Sequence, residues 1–334
     1  MDKQKLRVGV VGLGKMGLLH ASILNVIPDV QLVAICEKNS FTRKLLEKII
    51  RRVPIVGDVT DFSGLDLDAV YVTTPIPSHF SVAKLVCQER LARNLFVEKP
   101  LTATHSESKE ICTLAKQTCN VTMVGYLRRF MVTFLKAKEL LSENAIGELE
   151  SFTISAFSSD FCGINDNPQV SIARGGVLKD LGSYAIDLAL WFFGDVKIDS
   201  AMVESLTGEG AEDSVNFTVH RKSGGLKGDF SVSWCAEGYR MPEVALSISG
   251  SKGLIEVNDD KVSFKNSTGE VTTWYRPDLN DDVSFWLGNP EYFRESAYFV
   301  NSVQKNLAAE PSFETAAKVD FMIEAIQRRA RHLG

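Results

Sequence analysis

Glu98-Lys99-Pro100 sets an ammonium group between a carboxylate and a chain-stiffening proline, and Gly12, Gly14 and Gly17 fall in the spacing Gly-x-Gly-x-x-Gly. The glycines follow an apolar run, Leu6–Val11, and lead into a helix-forming stretch from Met16 to Asn25. That context predicts a strand, a tight turn and a helix whose first N–H groups and positive dipole end hold a phosphate. Gly12 then permits the turn and Gly14 lets the backbone approach a pyrophosphate. Gly17 lets helix and strand pack closely, with Lys15 and Met16 as flanking contacts. A second strand, Leu32–Cys36, ends at Glu37, 25 positions beyond Gly12. A carboxylate there accepts hydrogen bonds from both adenosine ribose hydroxyls and opposes the extra phosphate of NADP. NAD is the expected cofactor, with NADP left open by the neighbouring cations Lys38 and Arg43. Lys99 should stand at the edge of the same sheet, beside the reactive end of that dinucleotide. Thr73, Thr74, Pro75 and Glu98 are expected to be further cofactor-side residues, and His79 and His20 to be structural or cofactor-adjacent rather than catalytic. The chemistry implied is hydride transfer with a lysine in the active site.

A carbinol that gives up a hydride must also lose its hydroxyl proton. An ammonium of pKa about 10.4 or a phenol of about 10 is a poor base at neutral pH unless its surroundings shift it. Burial and neighbouring charge are the means of doing so. Tyr184 is the second candidate acid/base. Asp180, Tyr184, Asp187 and Trp191 follow i, i+4, i+7, i+11 spacing and share one helix stripe, while Leu181, Ala185, Leu188 and Phe192 form an apolar stripe that should face the core. Asp180 would orient Lys99 and Tyr184 or bind a substrate hydroxyl. The residues leave open which of Lys99 and Tyr184 carries the proton, and a plain alternative is a packed tyrosine beside a helix-start acid. Lys99, Asp180 and Tyr184 would all touch substrate. Arg128, Arg129 and Arg174 are candidates for an anionic substrate group, since guanidinium matches carboxylate and phosphate geometry; structural ion pairs are the alternative. The segment 158–170 holds Asp160, Asn165, Asp166 and Asn167, suited to sugar hydroxyls or to a solvated loop. A cis bond before Pro100 suits a turn after Lys99.

The elements that must position these residues alternate over the first 125 positions. Helices are expected at 41–50, 79–91 and 106–118. Strands are expected at 69–73, 94–97 and 121–125, with an extended loop at Thr74-Pro75-Ile76-Pro77. Such alternation gives a parallel sheet with helices on both faces and ligands beyond the carboxyl ends of its strands. After Gly125 the pattern changes to period-two runs, with Phe152, Ile154 and Ala156 on one face and Phe230, Val232 and Trp234 on another strand. Val244–Ile248 follows the same rule, so a mainly antiparallel sheet is expected. Helices at 178–193, 291–305 and 314–331 would cover one of its faces, and a second copy of the chain the other.

The chain has 334 residues, which suits two domains, 1–125 and 126–334, with the last helix able to pack back on the first. Its net charge of −5 and lack of a basic run with interleaved aromatics argue against nucleic acid. No stretch reaches the roughly 18 apolar residues of a membrane span. Residues 1–5 lead straight into the first strand, so a cytoplasmic protein is expected. The six cysteines form no C-x-x-C pair and the five histidines are scattered, so neither a disulfide frame nor a metal site is expected.

Taken in order, these motifs resemble the glucose–fructose oxidoreductase/inositol dehydrogenase/rhizopine catabolism (Gfo/Idh/MocA) family. The likeness rests on Gly12-Leu13-Gly14-Lys15-Met16-Gly17 with His20, Thr74-Pro75 with His79, and Glu98-Lys99-Pro100. It continues in Gly125-Tyr126-Leu127-Arg128-Arg129-Phe130 and in the run from Gly175 to Asp187. It implies an α/β fold: an N-terminal Rossmann domain and a C-terminal α+β domain with a large, mainly antiparallel open sheet. It also implies oxidation or reduction of a secondary alcohol on a sugar, cyclitol or nucleotide sugar, with Lys99 as the catalytic lysine. The uncovered face of the C-terminal sheet makes a homodimer or homotetramer through it the expected assembly. Tyr184 stands where many relatives carry histidine, and Arg174 where a third glycine is common. The tyrosine points away from inositol and toward aldose or nucleotide-sugar branches. Two rival readings are a cofactor-binding regulator without turnover and a glycosidase that uses bound NAD for transient oxidation.

Overall fold

The structure, a computed structural model, describes residues 5–161, 174–206, 210–239, 241–279 and 290–331. The chain divides into two compact units, Met1–Tyr126 with Tyr292–Asp320, and Leu127–Glu291 with Phe321–Gly334.

In the first unit, β1 (Leu6–Val11), β2 (Val30–Cys36), β3 (Ile55–Val56), β4 (Leu67–Val72), β5 (Ala92–Glu98) and β6 (Val121–Gly125) form one sheet in the order β3-β2-β1-β4-β5-β6. Every pairing is parallel. Helices α1 (Lys15–Val26), α2 (Ser40–Glu47), α3 (Ile76–Gln88) and α4 (His105–Thr118) make the crossovers. Strands buried on both faces read as continuous apolar runs, and Val8, Val10, Val70, Tyr71, Phe96 and Val97 are fully enclosed. A reciprocal cap starts α4: the Glu107 N–H donates to Thr104 Oγ1 and the Thr104 N–H donates to Glu107. One expectation needs correcting. Pro75 and Pro77 do not form an extended loop; Pro75 caps α3 and Pro77 sits in its first turn, where a missing N–H costs nothing.

The second unit opens with α5 (Val132–Ser142) and β7 (Leu149–Phe157), and from Leu178 to Gly182 the chain makes a π turn that runs into α6 (Ser183–Phe193). Strands β8 (Val196–Glu204), β9 (Ser214–Arg221), β10 (Lys227–Ser233), β11 (Glu243–Gly250), β12 (Gly253–Val257), β13 (Lys261–Asn266) and β14 (Val271–Tyr275) follow. They join β7 in the order β14-β13-β12-β11-β7-β10-β9-β8, antiparallel throughout except for β7 beside β10. Phe152, Ile154, Ala156, Phe230, Val232, Leu246 and Ile248 form its buried face. Helices α5 and α6 pack on this sheet, and Phe152 stacks on Phe193 with centroids 4.0 Å apart. The opposite face is a trough of about 810 Å³ whose floor includes Ser155, Asn216, Thr218, Ser231 and Ser247. Polar side chains pair across its strands: the Ser200 and Thr218 hydroxyls meet at 2.8 Å, and Ser231 Oγ donates to Asn216 Oδ1 at 2.8 Å.

Two last helices are α7 (Glu291–Lys305) and α8 (Phe313–Arg331). Sequence pattern assigns α7 to a cover for the second sheet, but from Tyr292 onward it belongs to the first unit. There Phe299 meets the edges of Tyr71 and Phe96, at centroid separations of 5.5 and 5.7 Å. The Val124 N–H donates to the Pro311 carbonyl at 2.9 Å, and Asp320 accepts from Ser108 Oγ at 2.5 Å and from the Thr102 N–H at 3.2 Å. No disulfide joins the described cysteines, and no described helix is long and apolar enough to cross a membrane. Cys162 and the segment's Asn165, Asp166 and Asn167 lie outside the described residues.

Candidate active site

The glycine turn leaves β1 at its carboxyl end. Gly12 has φ +96°, a left-handed backbone that side chains resist, and its N–H donates to the Cys36 carbonyl at 2.8 Å. Gly14 stands at the N-cap of α1 in extended backbone with no side chain capping the helix. A Cβ built on Gly14 meets nothing within 4 Å, so space lies open beside the helix's first N–H groups. At Gly17 a Cβ would overlap the Gly12 carbonyl, which explains the third glycine as a packing requirement. Thr73 Oγ1 donates to the Val11 and Gly12 carbonyls at 3.0 and 2.9 Å, so this hydroxyl pins the turn. Thr74 Oγ1, next along, is buried without a hydrogen-bond partner among the described residues. An open helix N-terminus and an unanswered hydroxyl beside the turn fit a dinucleotide phosphate.

Glu37 follows β2 directly. Its carboxylate accepts the Leu13 N–H at 2.9 Å and the Asn39 N–H at 2.7 Å, which holds it against the glycine turn. Arg43 donates to the Glu37 backbone carbonyl at 3.0 Å, leaving the carboxylate to the turn. Lys15 and Lys38 are exposed and Met16 half-buried.

Lys99 is half-buried at the carboxyl end of β5, the edge that also carries the glycine turn, and its bond to Pro100 is cis. Its neighbours are positioned by two buried histidines. His20 Nε2 meets Glu98 at 2.7 Å and its Nδ1 meets Ser296 Oγ at 3.3 Å, while the other Glu98 oxygen accepts the Lys99 N–H at 3.2 Å. His79 lies between the Pro100 and Thr74 carbonyls, at 2.9 and 2.7 Å from its two nitrogens. Burial outweighs these carbonyls and holds the His79 pKa below its ordinary 6.5. Both rings are enclosed, so His20 and His79 brace the loops around Lys99 through Glu98, Pro100 and Thr74.

In the second unit the three candidate arginines all meet carboxylates of the chain. Arg129 makes a two-point pair with Asp187 at 2.8 and 2.6 Å, both side chains nearly enclosed, and its guanidinium lies 5.7 Å from the Trp191 ring centre. Arg128 meets both oxygens of Asp259 at 3.3 and 3.0 Å and covers the Tyr184 ring at 4.4 Å. Arg174, more exposed, meets Asp160 at 2.5 Å and Asp180 at 3.6 Å and lies over Phe161 and Trp234. The stripe Asp180, Tyr184, Asp187 and Trp191 is therefore engaged by arginines along its length. Leu181, Ala185, Leu188 and Phe192 are buried as their spacing requires. Lys99 belongs to the first unit, Asp180 and Tyr184 to the second.

Two acidic residues here carry no signal in the sequence. Asp259 lies at the tip of the β12–β13 hairpin, 131 positions from Arg128, and only the fold brings them together. Burial pushes its carboxyl above the ordinary range, against the pull of Arg128. Glu212 packs where a Cβ on Gly176 would stand, so that glycine, at φ +89°, is needed for space as well as for backbone.

Residues 6–126 match the family description "Oxidoreductase family, NAD-binding Rossmann fold", and residues 134–256 match "GFO/IDH/MocA C-terminal domain". Inositol 2-dehydrogenase of Rhizobium meliloti (strain 1021) is 23% identical over 318 residues, covering 92% of this chain and 91% of that one. A dTDP-3,4-didehydro-2,6-dideoxy-alpha-D-glucose 3-reductase of Streptomyces antibioticus is 28% identical over 200 residues, 58% of each chain. Among solved structures, a levoglucosan dehydrogenase in complex with NADH and levoglucosan superposes with a TM-score of 0.87, at 22% identity and 98% coverage of both chains. At that identity the likeness concerns the fold.

Proposed function

Because the chain belongs to the GFO/IDH/MocA family of oxidoreductases, with its NAD-binding Rossmann domain, we propose that it is an NAD-dependent dehydrogenase of an uncharged sugar-like polyol. NAD, when bound, accepts or returns the hydride at a secondary alcohol or ketone. The observation that carries this reading is the placement of Lys99 at the same sheet edge as the open glycine turn. In the proposal Lys99 and Tyr184 hold the substrate oxygen and exchange its proton, general acid–base help typically worth about 10²–10⁴-fold. Asp180 orients them or accepts a substrate hydroxyl. Glu37 and the turn at Gly12, Gly14, Lys15, Met16 and Gly17 take the adenosine and pyrophosphate, and Thr74 and Pro75 line the cofactor's path.

An uncharged substrate is favoured because Arg128, Arg129 and Arg174 are each compensated by Asp259, Asp187 and Asp160. A diphosphate would have to displace those carboxylates first. The test is to follow NAD reduction with cyclitols, aldoses and anhydrosugars against nucleotide sugars, using the wild-type chain and Lys99→Met. Turnover of a neutral polyol that Lys99→Met abolishes, with cofactor binding nearly unchanged, is expected. Turnover of nucleotide sugars alone would overturn the substrate class, and full activity in Lys99→Met would remove the lysine from the mechanism. A second copy of the chain seated on the trough of the second sheet completes the proposal.

A further inference from the structure

Tyr184, the second residue of α6, is covered by a guanidinium that is itself fixed from two sides. Arg128, on the short turn Leu127–Phe130, places its guanidinium carbon 4.4 Å from the Tyr184 ring centre. Its Nε and one terminal nitrogen reach the two Asp259 oxygens, and that terminal nitrogen also donates to the Pro242 carbonyl at 3.4 Å. Arg128 is 5% exposed and Tyr184 8%, so this stack is shielded from the water and salt that would weaken a surface contact.

We propose that Arg128, anchored by Asp259, is a positioning residue for Tyr184: it fixes the ring and favours the phenolate, with Asp259 moderating the effect. The inference rests on the reading of Tyr184 as an acid/base. A cation 4–6 Å from an ionisable group favours the charged form, and a guanidinium stays protonated across the working pH range. A flat, two-point fork on Asp259 also removes the rotation that would let a longer, looser cation drift off the ring. Among the described residues, several charged groups stand around this assembly. Glu243 at the start of β11 and Asp260 on the same hairpin stand near Asp259, and Glu291 is joined to Arg276 at 2.7 Å. Asp180, four residues before Tyr184, faces Arg174.

The experiment titrates Tyr184 itself in the full chain. Phenolate absorbance is recorded for the wild type, Arg128→Met, Arg128→Lys and Asp259→Asn, each against the same chain carrying Tyr184→Phe, so that the difference isolates one tyrosine. Arg128→Met should raise the Tyr184 midpoint by about one pH unit, and Asp259→Asn should lower it, since the cation loses its counter-charge. Arg128→Lys should fall between wild type and Arg128→Met. With a turned-over polyol, the ascending limb of the pH profile of kcat/KM for alcohol oxidation should shift in the same directions. A residue that merely packs would not move the midpoint in opposite senses. An unchanged midpoint in Arg128→Met, or a rise in Asp259→Asn, overturns the proposal. Should Arg128→Met fail to fold, the sign of the Asp259→Asn shift decides. If the absorbance shifts occur as expected while Tyr184→Phe keeps full turnover, the positioning stands and the acid/base reading of Tyr184 falls.

Discussion

Arg129 and Asp187 meet through two short hydrogen bonds while almost closed off from solvent. Removing one partner strands the other's charge in a poorly polarisable interior, at a cost of about 3–5 kcal/mol, whereas apolar residues of like volume at both positions are tolerated. Asp187→Ala should therefore unfold earlier in denaturant by that amount, and Arg129→Met with Asp187→Leu should recover most of it. A loss below 1 kcal/mol in Asp187→Ala would mean that the pair behaves as a surface bridge. Glu37 makes a different kind of prediction. Its carboxylate, already against the Leu13 N–H, should repel the 2′-phosphate of NADP, and unit charges 4 Å apart near a surface interact by roughly 1–4 kcal/mol. Calorimetric titration should show NAD tenfold or more tighter than NADP, and Glu37→Ser should narrow the gap. Tighter NADP in the unaltered chain would assign the dominant role to Lys38 or Arg43.

At the scale of elements, His79 ties the loop after β4 to the turn at Pro100 and belongs to α3. The unfolded chain binds a proton there near pH 6.5, but the buried ring resists it to lower pH. Below about pH 6.5 the unfolded state then holds more protons, so stability falls on acidification and returns as pH rises, by up to roughly 1.4 kcal/mol per pH unit. Melting curves between pH 7.5 and 5.5 should show this slope, and His79→Gln, which does not titrate, should flatten it; an equal slope in both would place the pH dependence elsewhere. Much at this scale is legible in the sequence because it is local. The glycine turn, Glu37, and the strand ahead of Lys99 announce themselves within a few residues each. What stays hidden depends on distant partners or backbone detail. The spacing of Asp180 and Tyr184 marks one helix but not the π turn that ends at Gly182. Pro77 signals a break to a reader of the sequence and a first turn to the fold. Arginine side chains advertise anion binding, yet Asp259 and Asp187, far along the chain, decide what Arg128 and Arg129 hold.

For the molecule as a whole, the period-two runs foretell the second sheet, though not the parallel meeting of β7 with β10, which no local pattern records. If a second copy covers the hydroxyl-lined trough, the chain should run as a dimer or larger in light scattering after gel filtration. Bulky charge on the trough floor, as in Thr218→Arg with Ser231→Glu, should yield monomers that keep their fold. A wild-type monomer at micromolar concentration would exclude that assembly. The first unit holds a further consequence in its two-piece construction. Tyr71 and Phe96 are completed by Phe299, His20 by Ser296, and Ser108 by Asp320, all contributed after an intervening unit of more than 160 residues. During synthesis, the residues that gather the glycine turn and Lys99 emerge before Leu127–Glu291, and their support emerges after it. A ribosome-bound chain halted before residue 292 thus exposes an aromatic surface that the finished chain conceals, and that surface is the one a nascent-chain chaperone would find.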